Sequence, residues 1–155
     1  MKKKVSRKKK NPGFERFWKA SDPNKHDPVA MTLRTHLLAE YYLDQIIVVS
    51  LARGDLLVNQ HLTFYNKMSV VKAIDVVDDR TMDALAALNN LRNRCAHDMD
   101  YQISETDVDK VGRPFGLQYT REKHKDGHDL KFLLNLQLAG ILGHLDKVLL
   151  HHTKK

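Results

Sequence analysis

Apolar side chains recur at intervals of three and four along most of this chain, and few segments alternate, so the pattern predicts helices. Asp27-Pro28 reads as an N-cap followed by a first turn. Behind it Leu33, Leu37, Leu38, Tyr41, Ile47 and Leu51 form a wide stripe running to about Arg53, where Gly54 is the expected stop. Asp55 to Asn59 adds a helical turn. Thr63 caps a second helix over Phe64 to Val77, with Phe64, Met68, Val71 and Ile74 inward. Ala, Leu and Met dominate from Met82 to Leu91 without Gly or Pro, which predicts a central helix over about Thr81 to Asp98. Ser104 with Asp107 resembles a capping pair for a short helix through Val111. Residues 112–127 hold Gly112, Pro114, Gly116 and Gly127 among charges and read as a loop, with a short strand around Leu117-Gln118-Tyr119. Leu130 to Leu150 is the last long helix, carrying Leu133, Leu134, Leu136, Leu138, Ile141, Leu142, Leu145 and Leu149. Gly140 and Gly143 inside it cost about 1 kcal/mol each relative to Ala, and close packing against a neighbour is the expected return. Near the start, Phe14, Phe17 and Trp18 lie at helical spacing, and Ser21-Asp22-Pro23-Asn24 is turn chemistry. The expected fold is all-α: an up-and-down bundle of four main helices with one or two short extra helices.

Composition narrows this to one domain. The chain has 155 residues, 42% of them hydrophobic, enough for one proper core. Its single cysteine permits no internal disulfide and suits a reducing compartment. Apolar runs such as Ile46-Ile47-Val48-Val49 are far too short to cross a bilayer, so a cytoplasmic protein without membrane contact is expected. The net charge of +7 is unevenly spread. Lys2, Lys3, Lys4, Arg7, Lys8, Lys9 and Lys10 stand in the first ten residues with no acid. Subtracting those seven from 26 leaves 19 basic residues against 19 acidic ones. The pI of 9.5 is therefore a property of the tail. No apolar stretch follows it, so it is not a secretory signal. The chain divides into a basic tail, 1–12, and a single helical domain, 13–153. Such a tail either grips phosphate backbones without sequence preference or serves as a solvated end.

The chemistry concentrates at the end of the central helix, Leu85-Ala86-Ala87-Leu88-Asn89-Asn90-Leu91-Arg92-Asn93-Arg94-Cys95-Ala96-His97-Asp98. At about 100° per residue, Leu85, Leu88, Arg92, Cys95 and Ala96 share a stripe, with Ala86, Asn89 and Asn93 beside it. Arg92 and His97 stand roughly 140° apart around the axis and about 7.5 Å along it. Between them lies a face of small and amide side chains that a second helix can approach.

Leu91-Arg92-Asn93-Arg94-Cys95-Ala96-His97 resembles the Arg-Asn-x-x-x-His signature of the HEPN superfamily. Upstream, Leu62-Thr63-Phe64-Tyr65-Asn66-Lys67-Met68 is similar to the Leu-Ser/Thr-Phe-x-x-Lys segment of several bacterial HEPN-like families of unassigned role. Together the likeness spans roughly residues 33–101. It implies a metal-independent, cofactor-free endoribonuclease of toxin or defence type. In it Arg92 would hold the phosphate, Asn93 align the groups and His97 move the proton, in a composite site shared by two copies. Products would carry 2′,3′-cyclic phosphates, and an antitoxin protein is a conceivable partner. It equally implies a non-catalytic RNA-binding or regulatory module. Arg94, Lys67 and Tyr101, beside the two motifs, are the further expected RNA contacts. Some HEPN toxins carry a Tyr two residues after the His. That position here is Met99 and the nearest Tyr is Tyr101, so control through such a tyrosine is not expected.

Elsewhere the residues read as structural. His36 and Glu40, one turn apart, lack an evident third metal ligand, and a surface hydrogen bond is the simpler reading. Asp75, Asp78, Asp79 and Asp83 gather at a helix junction, where Asp79 and Asp83 complement the dipole of the next helix, and no Mg²⁺ site is read there. Cys95 reads as a small apolar filler, and Lys67 as an aliphatic stem beside Phe64. A two-fold homodimer is expected, its central helices meeting near Asn89, Asn93 and His97, with Ala86 and Ala96 permitting close approach.

Overall fold

A computed structural model describes residues 27–153, so the tail, the aromatic segment at 14–20 and the turn at 21–24 lie outside it. Among the described residues there are seven α-helices and no strand. They are α1 (Pro28–Ser50), α2 (Gly54–Val58), α3 (Phe64–Ile74), α4 (Asp79–His97), α5 (Glu105–Gly112), α6 (Leu117–Lys123) and α7 (Leu130–His152), with a 3₁₀ turn at Arg113–Phe115. The protein is an all-α helical bundle.

Capping chemistry sets most starts. Asp27 accepts from the backbone N–H of Val29 (2.8 Å) and Ala30 (3.2 Å), with Pro28 in the first turn of α1. Thr63 accepts from Asn66 N–H and Asp78 from Thr81 N–H. Asp78 therefore starts α4 two residues ahead of the expected Thr81. Ser104 and Asp107 form a reciprocal capping box on α5. The ends shift too. Leu51 is extended, so α1 stops at Ser50. Gly54 then opens α2 instead of closing α1, and its bare Cα lies where a side chain would strike the Ile47 carbonyl. A left-handed Asp75 (φ 60°) closes α3 at Ile74, before the expected Val77.

The segment after α5 corrects the sequence reading. Leu117-Gln118-Tyr119 is the first turn of α6, not a strand. A Cβ on Gly112 would fall within the Tyr119 ring, so the glycine is what lets that ring seat against α5. The Tyr119 hydroxyl and the Lys123 ammonium both bond Asp109, which fastens α6 to α5.

α1 is the hub. It buries Ala39, Tyr42, Leu43, Ile46 and Ile47 against α7, α3 and α4, and the Tyr42 hydroxyl donates to Asp146 of α7 (3.0 Å). α7 contributes Leu133, Leu134, Leu138, Ile141, Leu142, Leu145 and Leu149 to the same core. By length and hydropathy (1.2 over its best window), α7 is the one described helix that fits a membrane span. Its buried leucines, however, are the wall of the core. The two helix glycines do not seat a neighbour. At Gly140 the Phe115 ring lies 3.9 Å from where a Cβ would sit, and Gly143 faces open space.

Candidate functional site

α4 turns its leucines and Cys95 inward and its amides outward. Leu85, Leu88, Leu91 and Cys95 are buried; Ala86, Asn90, Ala96 and His97 are exposed; Asn89, Arg92 and Asn93 lie between. Leu91, not Ala96, completes the buried stripe, because α4 leaves its last turn partly uncovered.

The structure brings Arg92 and Asn93 together: the guanidinium Nη1 donates to the Asn93 side-chain oxygen at 3.2 Å. Among the described residues this amide, not a core carboxylate, is its contact. His97 is the last residue of α4 and is exposed, with Arg94 beside it in the last turn. Both suit the negative end of the helix dipole. Cys95 is buried, and burial with the nearby Asp107 carboxylate pushes its thiol up, so it stays a neutral filler.

The three further expected RNA contacts are engaged inside the molecule. Arg94 pairs with Asp107 at 2.6 Å and lies over the Tyr101 ring. Tyr101 donates its hydroxyl to Asp107 (2.8 Å), which also receives the Ser104 N–H and hydroxyl. Asp107 is 2% exposed. Burial alone would raise its carboxyl, but these donors and Arg94 outweigh it and hold it below the usual range. Arg94 and Tyr101 thus fasten α4 to α5.

Lys67 is not a snorkelling stem. It is 7% exposed, and its ammonium lies 3.0 Å from Glu40 and 2.9 Å from Asp44 of α1. Burial works against that charge, yet the hydrogen bonds to Asp44 and Glu40 win and keep the ammonium charged beyond the ordinary lysine range. The second oxygen of Asp44 is buried with no partner.

His36 also departs from the expected surface hydrogen bond with Glu40. It is 4% exposed, stacks on Phe64 of α3 with centroids 4.0 Å apart, and places Nε2 3.0 Å from the Asn89 side-chain oxygen. An amide oxygen only accepts, so Nε2 carries the proton and the neutral ring satisfies the contact. Burial lowers the pKa of His36, more than the Asn89 bond raises it, and the Arg92 charge adds to the lowering. One polar seam results: Asp44, Glu40 and His36 along α1, Lys67 and Phe64 on α3, and Asn89 with Arg92 nearby on α4. The sequence reading missed it. Its signal was the four-residue spacing of His36, Glu40 and Asp44, a polar row beside the apolar stripe of α1.

α1 and α4 run in opposite senses here. His36 meets Asn89, while Asp27, at the start of α1, lies within electrostatic reach of Cys95, near the end of α4. The motif end of α4 and the first turn of α1 therefore share one end of the bundle. No protein-family model, no curated protein and no solved structure matches this chain.

Proposed function

We propose that this protein is a HEPN-like, metal-independent endoribonuclease that works as a homodimer. The observation that carries the reading is the outer face of α4. Arg92 is hydrogen-bonded to Asn93, His97 is uncovered, and the small or amide residues Ala86, Asn90 and Asn93 leave room for a second α4. RNA cleavage of this kind needs a cation for the phosphorane and an imidazole for proton transfer. Arg supplies a planar, permanently charged fork, and Asn93 fixes its direction. Arg92 and His97 diverge on a single helix, so a two-fold pair is what sets one chain's arginine opposite the other's histidine. No metal is called for, since the nucleophile is the RNA's own 2′-hydroxyl.

The test is cleavage of a mixed RNA pool in EDTA by wild type, His97→Ala and Arg92→Ala. The reading requires products ending in 2′,3′-cyclic phosphate from wild type alone. No cleavage, or equal cleavage by all three, rejects it. Sedimentation decides the assembly: Asn93→Arg must be monomeric at concentrations where wild type dimerises. A second reading, a non-catalytic RNA-binding or regulatory module of the same family, is favoured by one observation. Lys67, Arg94 and Tyr101 are all spent on internal contacts, which leaves few groups to grip a substrate. A toxin role with an antitoxin partner, and a cytoplasmic setting, belong to the first reading.

A further inference from the structure

The roll of α4 decides which way Arg92 and Asn93 point, and a buried contact sets that roll from the inner side. Asn89, about one turn before the pair, takes a hydrogen bond at 3.0 Å from Nε2 of His36. His36 is 4% exposed, is carried by α1 and stacks on Phe64 of α3 with ring centroids 4.0 Å apart. Three helices thus meet at one imidazole. A roll of α4 that broke the Asn89 bond would leave a buried N–H without its acceptor, and it would carry Arg92 and Asn93 round by the same angle. The Arg92–Asn93 bond itself (3.2 Å) joins neighbours in sequence and cannot resist such a roll.

The same ring senses the charge it helps to aim. Facing it are Arg92 from α4 and Glu40 from α1, whose carboxylate is bonded to the Lys67 ammonium of α3. Burial is the largest influence and keeps the ring neutral; the Asn89 bond and Glu40 favour its proton, and the Arg92 charge opposes it. An anion seated on Arg92 cancels that opposition. Linkage makes the effect reciprocal: the factor by which the anion tightens the proton on His36 is the factor by which that proton tightens the anion on Arg92. His97 is exposed at the end of α4, about two turns beyond Asn89, so this route is separate from direct contact with its ring.

We propose that His36 is a positioning residue for the Arg92–Asn93 pair, fixing through Asn89 the roll of α4 that aims the pair at an anion and coupling its own proton to that anion. Anion binding at Arg92 therefore strengthens as pH falls through the His36 titration. That the anion is an RNA phosphodiester rests on the reading of the preceding section.

The experiment uses the full chain as wild type, Arg92→Gln, His36→Gln and His36→Leu. Glutamine can place an amide N–H where Nε2 stands but cannot titrate, whereas leucine fills the space without a donor. The probe is sulfate, a dianion at every pH used, compared with chloride at equal ionic strength. NMR follows the His36 ring and the side-chain N–H signals of Arg92 and Asn93. Wild-type His36 must titrate at higher pH in sulfate than in chloride, and Arg92→Gln must abolish the difference. At neutral pH, His36→Leu must bind sulfate at the Arg92 signals at least about fivefold more weakly than wild type, and His36→Gln within about twofold of it. As pH falls, His36→Gln must lose the gain in sulfate affinity that the His36 titration dictates, with His97 still in place. A His36 titration indifferent to sulfate overturns the proposal, and that comparison decides even where His36→Leu fails to fold. Equal weakening by glutamine and leucine also overturns it, because bulk and not the N–H would then matter. If the sulfate results hold but wild type leaves cleavable RNA intact, the positioning role stands and the ribonuclease reading fails.

Discussion

Replacing Lys67 with Met tests whether the α1–α3 ion cluster stabilises the fold. Met keeps the length and apolar bulk of the stem but removes the ammonium that bridges Glu40 (3.0 Å) and Asp44 (2.9 Å). Two carboxylates one helical turn apart would then face each other without their shared counter-ion, one of them with an oxygen already buried and unpartnered. Stranding a charge in a fully buried pair costs about 3–5 kcal/mol. Here the side chains of Glu40 and Asp44 remain 32% and 22% exposed, so water recovers part of the loss. A destabilisation of about 2–3 kcal/mol is expected, or roughly 4–12 °C in Tm for a chain of this size. Urea titration followed by far-ultraviolet circular dichroism measures it. Adding Glu40→Gln and Asp44→Asn to Lys67→Met must restore at least half of the loss, because neutral amides no longer repel. A Lys67→Met protein within about 0.5 kcal/mol of wild type, or a triple variant no more stable than the single one, refutes the reasoning.

Three further outcomes follow from the same contacts. His36 is held neutral by burial, so the unfolded chain binds its proton more readily than the fold does. Its contribution is present at neutral pH and is lost as pH falls through about 6.5 towards the lower folded value; NMR titration must give a folded pKa below 6.5, and His36→Asn must flatten that part of the stability profile. Asp107→Ala removes the acceptor shared by Tyr101, Ser104 and Arg94 and should cost about 3 kcal/mol in urea unfolding. Gly143→Ala meets open space inside α7 and should stabilise by up to about 1 kcal/mol, read as a higher melting temperature.

Much of the fold was legible in the sequence because its signals are local. Asp27-Pro28, Thr63 and the Ser104/Asp107 pair each cap a helix through atoms two or three residues away, and the leucines of α7 repeat at the helical period. The errors lie where distant residues decide. Leu117–Tyr119 is helical because Tyr119 and Lys123 find Asp109 across Gly112, a pairing no window over 117–119 contains. Lys67 reads as an exposed charge until Glu40 and Asp44, over twenty residues earlier, are placed against it. At the candidate site the motif residues were visible as a string, but their division was not. Which polar groups bond to α1, which to α5 and which face outward depends on how α4 is rotated within the bundle.

That division yields the sharpest distinction within the motif. Asn89 turns to α1 and accepts from His36, while Arg94 turns to α5 and pairs with Asp107. Asn90 lies between these flanks and is exposed. Asparagine is a weaker helix former than alanine by up to about 0.7 kcal/mol, and among the described residues no hydrogen bond offsets that at Asn90. Asn90→Ala should therefore stabilise the isolated protomer by about 0.5 kcal/mol. Asn89→Ala should destabilise by about 1–2 kcal/mol, because the buried His36 N–H loses its acceptor. Urea unfolding at low protein concentration, where assembly does not contribute, separates the two. If Asn90→Ala also weakens dimerisation or RNA binding while raising protomer stability, the outer face of α4 is selected for contact and not for folding. Equal destabilisation by both substitutions would instead make Asn90 part of the scaffold and remove the reason for placing an interface there.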